Sequence, residues 1–250
     1  MHKTVLCSVL ALQALIPLRA DAQGAPNQDG FSLGLIATVG VSPYVGEDTE
    51  FGGFPLVSYR QGPFSIGFQG VSYEFASSEQ LTFSVGVSPR FTGLEDPDAA
   101  ELAGIDRDFT IDAFLGLNLD LGQGVSMETT FRQEVTGEHD GQEVEIEVGY
   151  GTVAGRTGLQ FSAGTKYQNS DLANYTWGVF ADEVIAGRPV YDTGDVFVPF
   201  LSVGAARPLS ENLTLIGNIR ADFLPDAVSD SPIVDESTPV SLGVGLSYKF

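Results

Sequence analysis

From Phe31 to Phe250 apolar side chains fall at every second position in run after run, a period that limits the chain to β-strands with one greasy and one polar face. Phe31, Leu33, Leu35, Ala37, Val39 and Val41 alternate with Ser32, Gly34, Thr38 and Gly40. Leu81, Phe83, Val85 and Val87 alternate with Thr82, Ser84, Gly86 and Ser88, and the odd positions from Phe109 to Leu121 with Asp108, Thr110, Asp112, Asn118 and Asp120. The pattern recurs over 125–135, 144–154, 159–167, 196–206, 213–223 and 240–250, with weaker runs at 52–60 and 174–182. Between 64 and 75 the apolar face moves from even (Phe64, Ile66, Phe68) to odd numbers (Val71, Tyr73, Phe75), which predicts one strand with a bulge near Gln69-Gly70. Pro55 and Pro199 mark strand ends or irregularities. The count is about twelve strands, with ten as the alternative, inside the even-numbered range of bacterial membrane barrels.

Connections alternate in length as up-and-down hairpins require. Gln61-Gly62, Gly122-Gln123-Gly124 and Pro208 to Asn212 are short, while 92–107, 183–194 and 225–237 are long. Such barrels keep short turns and termini in the periplasm and long loops outside. Counting back from Phe250 places 183–194 and 225–237 outside but puts 92–107 inside, so either one run is not a strand, with 174–182 the first suspect, or the barrel has a long periplasmic excursion.

Residues 1–22 predict a cleavable secretory signal. Lys3 gives a positive start, Thr4 to Leu18 is apolar but shorter than the ~20 residues a spanning helix needs, and Ala20-Asp21-Ala22 offers the small-x-small cleavage pattern. The folded domain is then 23–250. The single cysteine, Cys7, falls in the signal, so the mature chain has neither a disulfide nor a thiolate site. The formal charge of −21 excludes electrostatic nucleic-acid binding, and 43% hydrophobic residues exclude a disordered acidic chain. No later segment is a candidate membrane helix, so any membrane crossing must be made by strands.

A secreted β-sandwich would alternate as well. The runs here exceed the ~5–6 residues usual in globular sheets. Their second face carries Gly, Ser, Thr, Asn and charge, as a polar lumen opposite lipid requires, and Tyr59, Phe75, Phe91, Tyr167 and Phe223 lie at run ends where interfacial girdles sit. The last run is the most specific. Val240, Leu242, Val244, Leu246, Tyr248 and Phe250 form an unbroken stripe, and its end at Val244, Leu246, Tyr248 and Phe250 is similar to the strand that outer-membrane barrels present to the barrel-insertion machinery. The predicted fold is all-β: a transmembrane, antiparallel, up-and-down β-barrel in the lipid of the cell outer membrane.

Taken in order, Ser42 to Gly46 with Pro55 to Arg60, Asp96 to Gly104, Thr136 to Gly141, and Ser231 to Val234 with Gly245 to Phe250 resemble the MltA-interacting protein, or MipA/OmpV, family of outer-membrane proteins. Ser42-Pro43-Tyr44-Val45-Gly46 followed by Pro55 to Arg60 is similar to the family's first loop and second strand, and Asp96 to Gly104, with Leu102 and Gly104, to its acidic segment. Thr136-Gly137-Glu138-His139-Asp140-Gly141 resembles its central loop, and Ser231-Pro232-Ile233-Val234 with Gly245 to Phe250 its final loop and strand. The resemblance implies a non-enzymatic barrel. The family is named for a member that scaffolds a murein-degrading transglycosylase beside a murein synthase, so a murein hydrolase or synthase, or another envelope protein, is the implied partner. Other members are associated with antibiotic binding, adhesion or osmotic response, and no family-wide catalytic residues carry over.

The residues themselves supply little catalytic chemistry. His139, the one histidine after the signal, could be a general base only with a nucleophile near it in space, and between Gly137 and Gly141 it reads as a turn residue. Glu95, Asp96, Asp98, Glu101, Asp106 and Asp108, and Asp226, Asp230, Asp235 and Glu236, form acidic loops without EF-hand spacing. They are expected to be solvated, with no metal and no cofactor. Glu143, Glu145 and Glu147 alternate with Val144, Ile146 and Val148. Because a charge facing lipid costs up to ~2–4 kcal/mol, the three carboxylates are expected to line the lumen, where Arg132, Lys166 and Arg220 on other polar faces could pair with them. An acidic lumen raises the alternative of a small, porin-like, cation-preferring channel.

Overall fold

In the computed structural model, which describes residues 29–47, 49–95 and 97–250, the alternating runs form a closed antiparallel barrel. The strands are β1 (Gly30–Val41), β2 (Thr49–Gln61), β3 (Phe64–Gly67), β4 (Gly70–Ser77), β5 (Leu81–Arg90), β6 (Thr110–Gly122), β7 (Val125–Glu134), β8 (Gln142–Ala154), β9 (Thr157–Gln168), β10 (Val196–Pro208), β11 (Leu213–Asp222) and β12 (Val240–Lys249). Each pairs with its neighbours in sequence, and β12 closes on β1 from Ser32 opposite Lys249 to Gly40 opposite Ser241. The terminal residue extends the seam: the Phe250 N–H donates to the Phe31 carbonyl at 2.9 Å, and the two rings lie 5.8 Å apart. The expected signal segment, with Ala20 and Ala22, lies outside the described residues.

The total of twelve strands stands, but the set differs from the sequence reading in two places. The supposed bulged strand 64–75 is a hairpin. A two-residue turn at 68–69 pairs Gly67 with Gly70, Ile66 with Val71 and Phe64 with Tyr73, so an even position faces an odd one and the apolar parity switches. Gly70, at φ +115°, supplies a backbone conformation that a side chain would strain. The weak run 174–182 is not a strand. Ser170–Trp177 is a helix, α1, capped by the Asn169 side chain, which accepts from the Leu172 N–H at 3.2 Å.

These two corrections remove the loop conflict. Connections 62–63, 78–80, 123–124, 155–156 and 209–212 now share one end of the barrel with both termini. The long loops 42–48, 91–109, 135–141, 169–195 and 223–239 all lie at the other. The short-turn end is the periplasmic one and the long loops are extracellular.

Burial is inverted relative to a soluble protein. Outward positions such as Leu35 (69% exposed) and Phe51 (80%) are bare, as lipid contact requires, and Val244, Leu246, Tyr248 and Phe250 form an exposed stripe on the seam. Inward positions are buried and polar: Thr38, Thr130, Ser162, Ser202 and Asn218, together with charged Arg90, Asp112, Glu143, Lys166 and Arg220.

Candidate functional site

The barrel interior is built from the polar alternate of each strand, and its character changes along the axis. In the periplasmic part a cavity of about 670 Å³ is bounded by Gly30, Ser32, Arg60 and Lys249 near the strand ends and by Arg90, Asp112 and Glu143 deeper in. Glu143, Glu145 and Glu147 all line it, because β8 sends Ile146 and Val148 outward.

Above the cavity the lumen is crossed by ion pairs. Arg90, at the outer end of β5, lies 2.7 Å from Asp112 and 3.2 Å from Glu143, with all three side chains no more than 8% exposed. Arg132 reaches the other oxygen of Glu143 at 3.0 Å, and the Gln168 amide donates to Glu143 at 3.1 Å. A second group joins Lys166 and Arg220 to Asp222, at 3.6 and 2.9 Å, with the Arg220 guanidinium 3.7 Å from the centre of the Phe200 ring. Of the three basic residues expected to face the Glu143 series, Arg132 has an ion pair with Glu143, while Lys166 and Arg220 have ion pairs with Asp222. Arg90 and Asp112 were not singled out from the sequence. Extending the inward parity of Ser84, Gly86 and Ser88 by one step would have pointed Arg90 inward.

Outside this girdle the loops fold into a cap. Tyr44 from loop 42–48, Leu94, Leu102 and Ile105 from loop 91–109, Ala173, Trp177 and Val179 from loop 169–195, and Val228, Ile233 and Val234 from loop 223–239 form one apolar core with Val196 and Val198 of β10. Tyr44, Leu102, Ile233 and Val234, from three of the resemblance segments, thus meet in the cap. Tyr44 and Trp177 rings lie 5.6 Å apart, the Tyr44 hydroxyl donates to the Thr92 carbonyl at 2.9 Å, and Ser231 Oγ donates to the Trp177 carbonyl at 2.6 Å. The loops are otherwise strongly acidic. Their two arginines are both engaged inside the cap. Arg107 pairs with Glu183 through two nitrogens, donates to the Tyr175 carbonyl at 2.8 Å and lies against the Tyr175 and Phe180 rings. Arg188 donates to the carbonyls of Glu101 and Ala103 at 2.6 and 2.8 Å. Burial works against the Glu183 carboxylate, but the Arg107 hydrogen bonds and the Phe180 N–H outweigh it and hold its pKa below the ordinary value. Between cap and girdle remains a void of about 70 Å³, lined by Arg90, Phe91, Lys166, Gln168, Trp177 and Asp222 among others.

His139 is a structural pin of its loop. Its Nδ1 accepts from the Gly141 N–H at 3.0 Å and its ring stacks on Tyr175 at 4.4 Å. Burial lowers its pKa from 6.5 to about 4, against an opposing pull from Glu134. The imidazole is therefore neutral at physiological pH. As pH falls from 6.5 towards 4, an opened loop binds a proton that the closed loop refuses, so acid favours opening. Proteolysis of loop 135–141 is expected to accelerate between pH 6.5 and 5, with a smaller acceleration in His139→Gln; equal slopes in the two proteins would sink this reading. Among the described residues no group of three or more His, Cys, Asp or Glu is arranged to hold a metal ion. Glu95 of the acidic loop instead accepts from the backbone N–H groups of Thr92 and Gly93 at 2.7 and 3.0 Å.

The family model described as MltA-interacting protein MipA matches residues 33–250. YiaT of Escherichia coli (strain K12) is 26% identical over 247 residues, covering 97% of this chain and 98% of its own. Outer membrane protein OmpV of Vibrio cholerae serotype O1 is 26% identical over 82% of this chain and 80% of its own. The MltA-interacting protein of Escherichia coli (strain K12) is 26% identical over 96% of this chain and 99% of its own.

Proposed function

This chain belongs to the MltA-interacting protein MipA family, and from that premise we propose that it is a non-enzymatic barrel whose periplasmic end docks a murein-remodelling enzyme or another envelope protein. It is an outer-membrane β-barrel of MipA/OmpV type, and the relative named for interaction with MltA aligns with it over nearly its whole length. The observation that carries the proposal is the asymmetry of the lumen. The loop cap and the Arg90 girdle close over a void of about 70 Å³ in the extracellular half, whereas a cavity of about 670 Å³ lies on the periplasmic side. A barrel stoppered from outside suits a fixed platform better than a conduit. In the same reading residues 1–22 are the export signal, and the exposed Val244, Leu246, Tyr248 and Phe250 stripe is what the insertion machinery recognises.

A photo-crosslinking residue in the periplasmic turns, at Gln61 or Glu211, is expected to capture a murein hydrolase or synthase from intact envelopes, while one in the extracellular loops, at Asp182, captures none. Envelopes in which neither turn position yields a murein enzyme remove the murein part of the proposal. A cation-preferring channel is the second reading, favoured by the Glu143, Glu145 and Glu147 wall of the cavity. Conductance of the unmodified protein in planar bilayers, reduced in cation preference by Glu→Gln changes at these positions, would support it over the platform.

A further inference from the structure

The wall of the barrel has a notch. The hairpin of β3 and β4 stops short of the extracellular end: β2 pairs with β3 only over Ser58–Gln61, and β4 reaches up β5 only to Val71 opposite Val87. β2 nevertheless runs on to Thr49, and β5 to Arg90. Among the described residues, no strand lies beside Thr49–Val57 on the edge facing away from β1, nor beside Ser88–Arg90 on the edge facing away from β6. In a regular sheet three strand spacings of about 4.8 Å, on the order of 14 Å between strand axes, would separate these edges.

The notch lies at hydrocarbon depth. On its other side the same stretch of β2 pairs with Leu33, Leu35, Ala37 and Val39, part of the lipid-facing stripe of β1. A bare sheet edge in lipid is tolerated only where the backbone reaches protein or a polar cavity. At the β5 edge the cavity arrives from behind, through Phe68, Gln69, Gly70, Ser88 and Pro89, and behind the β2 edge Phe54 and Leu56 pack in an apolar cluster. Each edge also carries a proline, Pro55 and Pro89, which has no N–H to leave unpaired.

Behind the notch the lumen loses its polar character. Ile36, Phe54, Leu56, Phe68 and Phe91 pack together on the inner side, with the Phe54 and Phe68 rings 5.9 Å apart, whereas the cavity below them is lined by Ser58, Ser65, Ser72 and Arg60. This is the polarity profile of an amphiphile, with an apolar stretch open to the bilayer and a polar one beneath it. A peptide strand adding to β2 fits less well, because Pro55 breaks the ladder and the edge lies in hydrocarbon.

We propose that the notch between β2 and β5 is a lateral portal through which an acyl chain of a membrane lipid enters the barrel and lies against Ile36, Phe54, Leu56, Phe68 and Phe91.

The test uses tryptophan quenching by phosphatidylcholine brominated on its acyl chains, with full-length protein in liposomes. In a Trp177→Phe background, which removes the chain's single tryptophan, Phe54→Trp and, separately, Leu56→Trp report on the inner side of the notch. Phe161→Trp, outward on β9, is the lipid-exposed reference, and Gln160→Trp, facing the cavity from the opposite wall, is the shielded one. Folding of each variant is checked by its heat-modifiable gel mobility. The portal predicts that positions 54 and 56 lose most of their emission, as 161 does, while 160 keeps its own. Loss to acrylamide but not to brominated lipid would mean a water-filled gap, and loss to neither would mean that the aromatic cluster seals it; either result overturns the proposal.

Discussion

Arg90→Met is expected to lower the folded stability of the barrel by about 3–5 kcal/mol, the range for breaking a buried ion pair from one side. The side chain holds Asp112 at 2.7 Å and Glu143 at 3.2 Å in a site where all three groups are shielded from water. Removing the cation leaves two carboxylates facing each other without the charge that made their burial tolerable. Arg132 would still hold one oxygen of Glu143, but at 26% exposure it is far better solvated than Arg90, and Arg132→Met is expected to cost much less. Adding Asp112→Asn and Glu143→Gln to Arg90→Met should restore most of the loss, because neutral amides carry a smaller burial penalty. Urea unfolding in lipid vesicles, followed by heat-modifiable mobility, compares the three variants with the unmodified chain. An Arg90→Met midpoint equal to that of the unmodified chain would show that the girdle is not what stabilises the outer lumen.

The second large effect concerns the cap. Replacing Ser170 to Asp192 with a short Gly/Ser linker removes α1 and the Glu183 partner of Arg107, and with them Ala173, Trp177 and Val179 from the apolar core that stoppers the extracellular end. The unmodified barrel is expected to be silent in planar bilayers, and the shortened one to show stepwise conductance. Cations should be preferred severalfold, since the exposed path runs past Glu143, Glu145 and Glu147. Glu145→Gln with Glu147→Gln should lower that preference while leaving the steps. If the unmodified protein already conducts as strongly as the shortened one, the cap is not a seal and the platform reading loses its support. Silence of both would place the block at the Arg90 girdle, and combining the loop replacement with Arg90→Met would then be expected to open the path.

The alternation established strands and the direction in which most side chains point, and the length of the runs, their polar second face and the final aromatic stripe made the barrel the class they form. Val144, Ile146 and Val148 had to face lipid and Glu143, Glu145 and Glu147 the lumen, because the reverse costs up to ~2–4 kcal/mol per charge in the bilayer. That is a local constraint, repeated at every second residue, so it survives in the order of residues without any knowledge of neighbours. The same reasoning fixed the stripe that ends on Phe250. It failed where both faces of a segment meet protein: residues 174–182 are apolar at mixed positions because α1 is buried in a cap of loops, and buried faces carry no period that separates strand from helix. It misread 64–75 because a two-residue turn and a bulge both shift parity, and only pairing distinguishes them.

Partner choice was equally out of reach. Arg90 and Glu143 stand 53 residues apart and meet only because strand order and register bring the outer ends of β5 and β8 into one lumen. The cap, the asymmetric cavity and the notch between β2 and β5 belong to the same class of fact. Sequence determined which environment each strand face needs, since transfer between lipid and water is a property of single residues. Tertiary structure decided what fills the barrel and where its wall stops, since those depend on contacts between residues that no local pattern connects.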